Sequence, residues 1–274
     1  MHPSLKCLSH RPWALPAGPW IMAQNWHDLL FAHWPVSAET VRRVVPRELE
    51  LDCFEGQYWI GVVPFRMEGV RLRGTPAVPG VSAFPELNVR TYVTAGGKPG
   101  VWFFSLDAAS RVAVEIARVW FHLPYFRARM SLEPNGHEIN YLSRRTDGRG
   151  EGERFEAAYA GEGESFFAQR GTLEYFLAER YCLYARRADG AILRGEIHHA
   201  PWELRRARAQ IRTNTMTKSL GVTPDGEPLL HFSKLQEVVV WHPQDIGRQP
   251  GATICGRRRR RRGPGRLRRR RGST

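Results

Sequence analysis

Short stretches of alternating apolar and polar residues recur along this 274-residue chain and are separated by turns rich in glycine. Alternation with a period of two is typical of β-strands. The predicted strands include residues 57–67, 87–94, 101–106, 128–133, 138–145, 153–160, 181–187 and 192–199. Helices are predicted only at residues 38–45, 110–120 and 172–178. We therefore predict an α+β fold in which a mostly antiparallel, barrel-like bent sheet with a few short helices surrounds a central cavity.

One predicted strand, residues 84–94, carries a row of polar side chains on one face and aliphatic side chains on the other. The polar row consists of Glu86, Asn88, Arg90 and Tyr92. Because strand side chains alternate between the two faces, all four point the same way, either to bulk water or into a cavity. Large β-barrels leave room for a ligand, so we interpret the row as the lining of an internal cavity.

An aromatic cluster around Pro124, residues 118–127, follows about thirty residues after the polar row. We expect this cluster and the polar row to share one pocket. His122 and Tyr125 are then candidate proton donors in a cavity that an aromatic wall keeps dry. The alternative is that both are hydrogen-bonded aromatic residues of the core.

The formal net charge of +14 is concentrated at the C-terminus. Residues 256–274 contain eleven arginines and no acid, so removing these eleven charges leaves only +3 for residues 1–255. A basic face with interleaved aromatic residues, typical of a nucleic-acid-binding domain, is not evident in that part. Binding of nucleic acid is therefore expected only non-specifically, through the arginine-rich tail.

The domain prediction places one folded unit at residues 23–243, between a disordered extension at residues 1–22 and a disordered, arginine-rich tail at residues 244–274. Residues 1–21 contain Lys6, Arg11 and several prolines but no continuous apolar run, so neither a signal peptide nor a membrane span is predicted. The four cysteines lie far apart without a Cys-x-x-Cys pair. We therefore predict a cytoplasmic protein without a membrane partner.

No cofactor or metal site is predicted. His198 and His199 are adjacent on a strand and should point to opposite faces, while His27 and His33 have no neighbouring carboxylate cluster. Ser105 lacks the glycine pattern of a hydrolase elbow, and the chain has no glycine-rich phosphate loop. The sequence supports no prediction of oligomeric state.

Five motifs, in order along the chain, resemble the bacterial YqjF-like family, a domain of unknown function called DUF2071. They are Phe84–Val93, Gly100–Leu106, Leu123–Phe126, Phe176–Tyr181 and Glu196–Trp202. The resemblance covers roughly residues 25–241. It implies the fold of acetoacetate decarboxylase, a cone-shaped antiparallel β-barrel with a central cavity.

The resemblance to the decarboxylase breaks at the residues that carry its reaction. That enzyme forms a Schiff base through a lysine that follows an aromatic-proline pair, and a second lysine lowers the pKa of the first. The matching stretch here is Leu123–Phe126, which contains neither lysine. Acetoacetate decarboxylation through an iminium is therefore not expected.

The sequence favours a protein that binds a small carboxylate- or carbonyl-bearing metabolite, with non-covalent acid/base conversion as a further possibility. Arg90 would hold negative charge and Glu86 would move a proton, with Asn88 and Tyr92 as further ligand contacts. The alternative is a non-catalytic structural or interaction protein, in which Glu86 and Arg90 form a buried ion pair and the barrel is filled.

Overall fold

The computed structural model describes residues 1–78, 82–150 and 152–247. This part of the chain contains three α-helices, α1 (Ala38–Val44), α2 (Arg111–Trp120) and α3 (Leu173–Ala178). Its thirteen strands are β1 (Met22–Val36), β2 (Glu50–Leu51), β3 (Tyr58–Leu72), β4 (Phe84–Ala95), β5 (Lys98–Ala108), β6 (Tyr125–Asn135), β7 (Glu138–Arg145), β8 (Arg154–Phe167), β9 (Cys182–Arg186), β10 (Ile192–His199), β11 (Glu203–Asn214), β12 (Leu229–Val240) and β13 (Gln244–Asp245).

All thirteen strands belong to one sheet in the order β13-β10-β9-β5-β6-β7-β8-β11-β12-β1-β3-β4-β2. Two additional pairings, β4 with β5 and β10 with β12, join strands that are distant in this order. The sheet therefore curls in a ring-like way. Neighbours are antiparallel except that β5 runs parallel to β6 and to β9. The predicted fold class, mostly antiparallel strands in a bent sheet with few helices, is confirmed.

Local sequence signals account for the predicted helices and for the hairpin of β4 and β5. Ser37, Ser110 and Thr172 each accept a hydrogen bond from a backbone N–H in the first turn of the helix that follows. The hairpin turn contains Gly96 and Gly97, whose positive φ angles of 57° and 74° are readily adopted only by glycine.

Strand β11 was not predicted from the sequence. Its half-buried positions include Ala207, Ala209 and Ile211, which alternate with exposed polar residues. Alanine is only weakly hydrophobic, so the alternation of apolar and polar residues is hard to detect in this sequence. The strand nevertheless pairs with β8 over most of its length.

Residues 1–21 are packed against the sheet, which differs from the predicted disordered extension. Arg11 donates to Glu196 Oε2 at 2.7 Å and to the carbonyl of Ile197 at 2.6 Å. Trp13 donates to the same Glu196 oxygen at 2.8 Å. These contacts join residues more than 180 positions apart. The segment lacks its own periodic pattern because isolated side chains, rather than a continuous face, fix it to β10.

At the other end, β13 pairs with β10, so the described chain continues in the sheet past the predicted boundary at residue 243. The arginine-rich remainder of the predicted tail lies outside the described residues. None of the described helices has both the length and the apolar character needed to cross a membrane.

The Arg11–Glu196 pair gives a first prediction, because both side chains are almost fully buried. Arg11→Gln should lower the free energy of unfolding by about 3 kcal/mol, the lower end for breaking a buried pair, since Lys98 also pairs with Glu196. Urea denaturation measures this. Arg170→Gln is the matched control, because the exposed Arg170 contacts the same N-terminal segment through a single hydrogen bond to the carbonyl of His10. An equal, small effect of both substitutions would contradict the prediction.

Candidate functional site

A cavity of about 500 Å³ lies inside the curled sheet. Strands β1, β3, β4 and β5 and helix α2 contribute to its wall, together with residues of β9 and β10. Most of the lining is apolar and much of it is aromatic, including Phe31, Phe65, Phe84, Phe103, Phe121 and Trp202. The few polar groups among these side chains therefore decide what the cavity can bind.

Strand β4 supplies three of those polar groups. Glu86, Asn88 and Arg90 line the cavity, whereas the intervening Leu87 and Val89 are fully buried in an apolar cluster on the opposite face of the strand. Strand β4 lies between β3 and β5 in the curled sheet. Its polar face lines the cavity, so this part of the polar row faces the interior and not bulk water.

The segment after helix α2 contributes alternate side chains to the same cavity. Phe121, Leu123 and Tyr125 line it together with Glu86, as expected for two segments that share a pocket. His122 does not: it lines a separate hollow with Pro124. The reason is that side chains alternate between the two sides of this segment, and His122, which follows the C-cap residue Phe121, has a positive φ of 53°. The prediction that His122 lies in the cavity is therefore wrong.

Glu86 is 2 % exposed and accepts a hydrogen bond from the Tyr125 hydroxyl at 3.0 Å. Burial raises the pKa of Glu86 to about 8, while the bond from Tyr125 acts in the opposite direction. At neutral pH the side chain is consequently a neutral acid that can donate a proton. Among the described residues no ion pair joins it to Arg90, so the ion pair considered from the sequence is not formed.

Arg90 is half-buried and lines the cavity, and its guanidinium has no carboxylate partner among the described residues. Its Nε and Nη2 atoms are buried and have no hydrogen-bond acceptor. The guanidinium carbon lies 5.2 Å from the centre of the Phe31 ring. Burial lowers the pKa of Arg90, and the neighbouring Tyr92 hydroxyl opposes this shift. An arginine remains charged in proteins, so the cavity contains a cation with two free donors.

Tyr92 is not part of the cavity lining, and its hydroxyl lies within hydrogen-bond reach of the Arg90 side chain. Its hydroxyl donates to the carbonyl of Leu177 at 2.9 Å and lies 2.6 Å from His33 Nε2. This arrangement holds the hydroxyl beside the guanidinium. The structure thus gives Tyr92 a position that orients Arg90, rather than the direct ligand contact that the sequence predicted.

Further polar residues that the sequence analysis did not select as ligand contacts also line the cavity, among them Trp202, Arg180 and His199. The indole N–H of Trp202 is buried without an acceptor, and its ring centre lies 4.9 Å from that of Phe31. Arg180 is paired with Asp52 at 2.6 Å, and His199 lies near two backbone carbonyls. Both Arg180 and Trp202 belong to sequence motifs that resembled the family, which was the available signal.

None of the chain's four lysines lines the cavity. Lys98 pairs with Glu196 at 2.6 Å, and Lys234 pairs with Asp28. Within the described ranges, no group of three or more His, Cys, Asp or Glu residues could hold a metal ion.

The raised pKa of Glu86 gives a second prediction. In the unfolded chain Glu86 releases its proton near the ordinary pKa of 4.5, whereas in the folded chain it keeps it until about pH 8. The stability contributed by this group is therefore fully present below pH 4.5 and is lost as the pH rises through 8. Glu86→Gln should abolish that loss and be more stable than wild type at pH 8 by about 3 to 5 kcal/mol.

The measurement is the free energy of unfolding in urea at several pH values between 4.5 and 8.5. Glu164→Gln, an exposed glutamate on β8, is the control. If the Glu86→Gln and wild-type curves run parallel over this range, the carboxyl is ionised in the folded protein and the account of its burial is wrong.

The sequence and fold both match known proteins. A family model, DUF2071, described as "Uncharacterized conserved protein", matches residues 23–237. The "Uncharacterized protein YqjF" of Bacillus subtilis (strain 168) is 48% identical over 229 residues, which cover 83% of this chain and 93% of that protein.

Solved structures with a similar fold include the acetoacetate decarboxylase from Legionella pneumophila, with a TM-score of 0.59 at 10% identity over 86% of this chain and 91% of that chain. The enduracididine biosynthesis enzyme MppR complexed with pyruvate has a TM-score of 0.59 at 11% identity over 90% and 98%. An acetoacetate decarboxylase-like enzyme from Sphingomonas wittichii RW1 has a TM-score of 0.60 at 10% identity over 86% and 98%. The fold is thus that of the acetoacetate decarboxylase-like enzymes, and the chain belongs to the DUF2071 family.

Proposed function

We propose that this protein binds a small carboxylate- or carbonyl-bearing molecule in the cavity and that Arg90 holds its negative charge. The observation that carries the proposal is the half-buried Arg90, whose Nε and Nη2 atoms are buried without acceptors in a mostly apolar wall. Buried polar groups in folded proteins are rarely left without partners, and an unpaired cation is the most costly of them. A ligand carboxylate supplies the missing acceptors and can bind both donors at once.

Glu86 and Asn88 extend the polar row beside the bound charge. Glu86, as a neutral acid at neutral pH, can donate a hydrogen bond or a proton to a carbonyl oxygen of the ligand. The Oδ1 atom of Asn88 is buried without a donor and can accept a hydrogen bond from the ligand. Tyr125, whose hydroxyl contacts Glu86, can keep that acid in position. These groups support non-covalent acid/base chemistry as the reaction class.

The similar solved structures favour a ligand of this chemistry, because MppR is complexed with pyruvate in one of them. Since no lysine lines the cavity here, we do not assign iminium formation to this chain. We place the ligand-binding unit at residues 23–243 and the protein in the cytoplasm.

The competing function is a structural or interaction protein with a filled interior. A cavity of about 500 Å³ does not favour it, and neither does the lack of an ion pair between Glu86 and Arg90 among the described residues. The two functions predict opposite consequences for the removal of the guanidinium.

Arg90→Gln provides the third prediction. If the guanidinium is unpaired until a ligand binds, its removal should leave the free energy of unfolding unchanged or raise it, because an uncompensated charge is removed from the cavity wall. The same substitution should abolish the rise in melting temperature that small carboxylates produce in wild type. Thermal-shift assays with a panel of carboxylic acids measure both effects.

The control for Arg90→Gln is Arg129→Gln, because Arg129 is exposed on β6 and away from the cavity. A loss of roughly 3 to 5 kcal/mol in Arg90→Gln would identify the guanidinium as a partner in a buried ion pair and support the structural alternative.

A fourth prediction concerns the chemistry that this chain lacks. Incubation with acetoacetate and sodium borohydride should leave the mass of the protein unchanged, because no amine in the cavity can form an iminium for the hydride to reduce. Mass spectrometry of the intact protein tests this, with an acetoacetate decarboxylase as positive control. A stoichiometric adduct that maps to one of the four lysines would refute it.

A further inference from the structure

We propose that the ligand is a monocarboxylate with a long apolar body, such as a medium-chain alkanoate, rather than a small polar acid. This inference rests on the proposed function and names the ligand class of the same site. Three features of the cavity support it: its polarity, its ends and its size.

The buried donors that line the cavity and lack acceptors lie around one aromatic ring. The Arg90 guanidinium carbon lies 5.2 Å from the centre of the Phe31 ring, and the centre of the Trp202 ring lies 4.9 Å from the same point. Both residues carry buried N–H donors without acceptors. These donors can accommodate a single carboxylate, so the rest of the ligand must occupy the apolar part of the cavity.

The cavity has a buried end and a solvent-exposed end. Phe31, Trp202 and His199, near the free donors, are at most 2 % exposed. Leu72, Ile116 and Trp120, which also line the cavity, are 43%, 41% and 54% exposed. Between the two ends the wall is formed by side chains such as Phe65, Phe84 and Phe103. A ligand whose carboxylate binds Arg90 would therefore extend through an apolar channel towards a rim at which Arg71 and Thr75 lie beside these apolar residues.

The size of the cavity excludes a good fit for a two- or three-carbon acid. A volume of about 500 Å³ is in the range of cavities that enclose drug-sized ligands. A short acid would leave most of the apolar wall in contact with water, whereas each added methylene group removes apolar surface from water. The affinity should therefore rise with chain length until the cavity is filled.

The test is isothermal titration calorimetry of the full chain with butyrate, hexanoate, octanoate and decanoate, each below its micellar concentration, and with pyruvate. The dissociation constant should fall by up to about fourfold for each added methylene group. Arg90→Gln should lose octanoate binding. Because this variant keeps the arginine-rich tail, any binding of carboxylates to the tail is unchanged in the comparison.

Two substitutions on helix α2 test where the apolar body lies. Ala117→Phe adds a ring on the face that lines the cavity and should weaken decanoate binding about tenfold or more while leaving butyrate unaffected. Val119→Phe is the matched control, because Val119 is 66% exposed and does not line the cavity. Thermal unfolding checks that both variants fold, and the chain-length series on wild type tests the proposal without either variant.

The outcomes separate the two proposals. If butyrate or pyruvate binds as tightly as octanoate and Arg90→Gln abolishes that binding, the long apolar ligand is refuted and the carboxylate site stands. If no carboxylate binds to wild type, or if Arg90→Gln binds all of them as wild type does, both proposals fail.

Discussion

An arginine without a counter-charge, whose Nε and Nη2 atoms are buried in the cavity wall, is the feature on which the proposed function depends. Transfer of a charged group into an apolar interior is unfavourable unless it is paired and hydrogen-bonded. Arg90 has neither an ion pair nor acceptors for its Nε and Nη2 atoms among the described residues. The fold must therefore contribute enough stability elsewhere to hold this residue in place, and the charge is left available for a ligand.

The ring-like sheet is what holds Arg90 in that position. Strand β4 pairs with β3 on one side and with β5 on the other, so its backbone is fixed along its length. Leu87 and Val89 anchor the opposite face of β4 in the core. The Tyr92 hydroxyl, held by Leu177 and His33, lies beside the guanidinium. Rigid elements of this kind position a site more accurately than loops do.

Glu86 and Arg90 have different proposed roles because their charge states differ. Both lie on one face of β4, yet burial makes Glu86 a neutral acid while Arg90 keeps its charge. A ligand in the proposed site would thus meet a proton donor and a cation on the same strand. This separation would be lost if the two residues were close enough to form an ion pair, because the carboxyl would then ionise.

The sequence predicted those parts of the fold that are determined by residues close together along the chain. The alternation in β4, the glycine turn before β5 and the hydroxyl caps of the helices are encoded within a few residues, and the cavity face of β4 followed from the period of two. The packed N-terminal segment and the role of Trp202 depend on contacts between residues far apart in sequence, which a single chain's periodicity does not contain. His122 was misplaced because its positive φ, after the end of α2, could not be read from the residues.

A crystal structure of the protein with 8-bromooctanoate tests the central claim most directly. The account predicts that the carboxylate accepts hydrogen bonds from Arg90 Nε and Nη2 and that the anomalous signal of bromine lies in the cavity near helix α2. A structure in which Arg90 pairs with a carboxylate of the protein itself, with no bromine in the cavity, would contradict it.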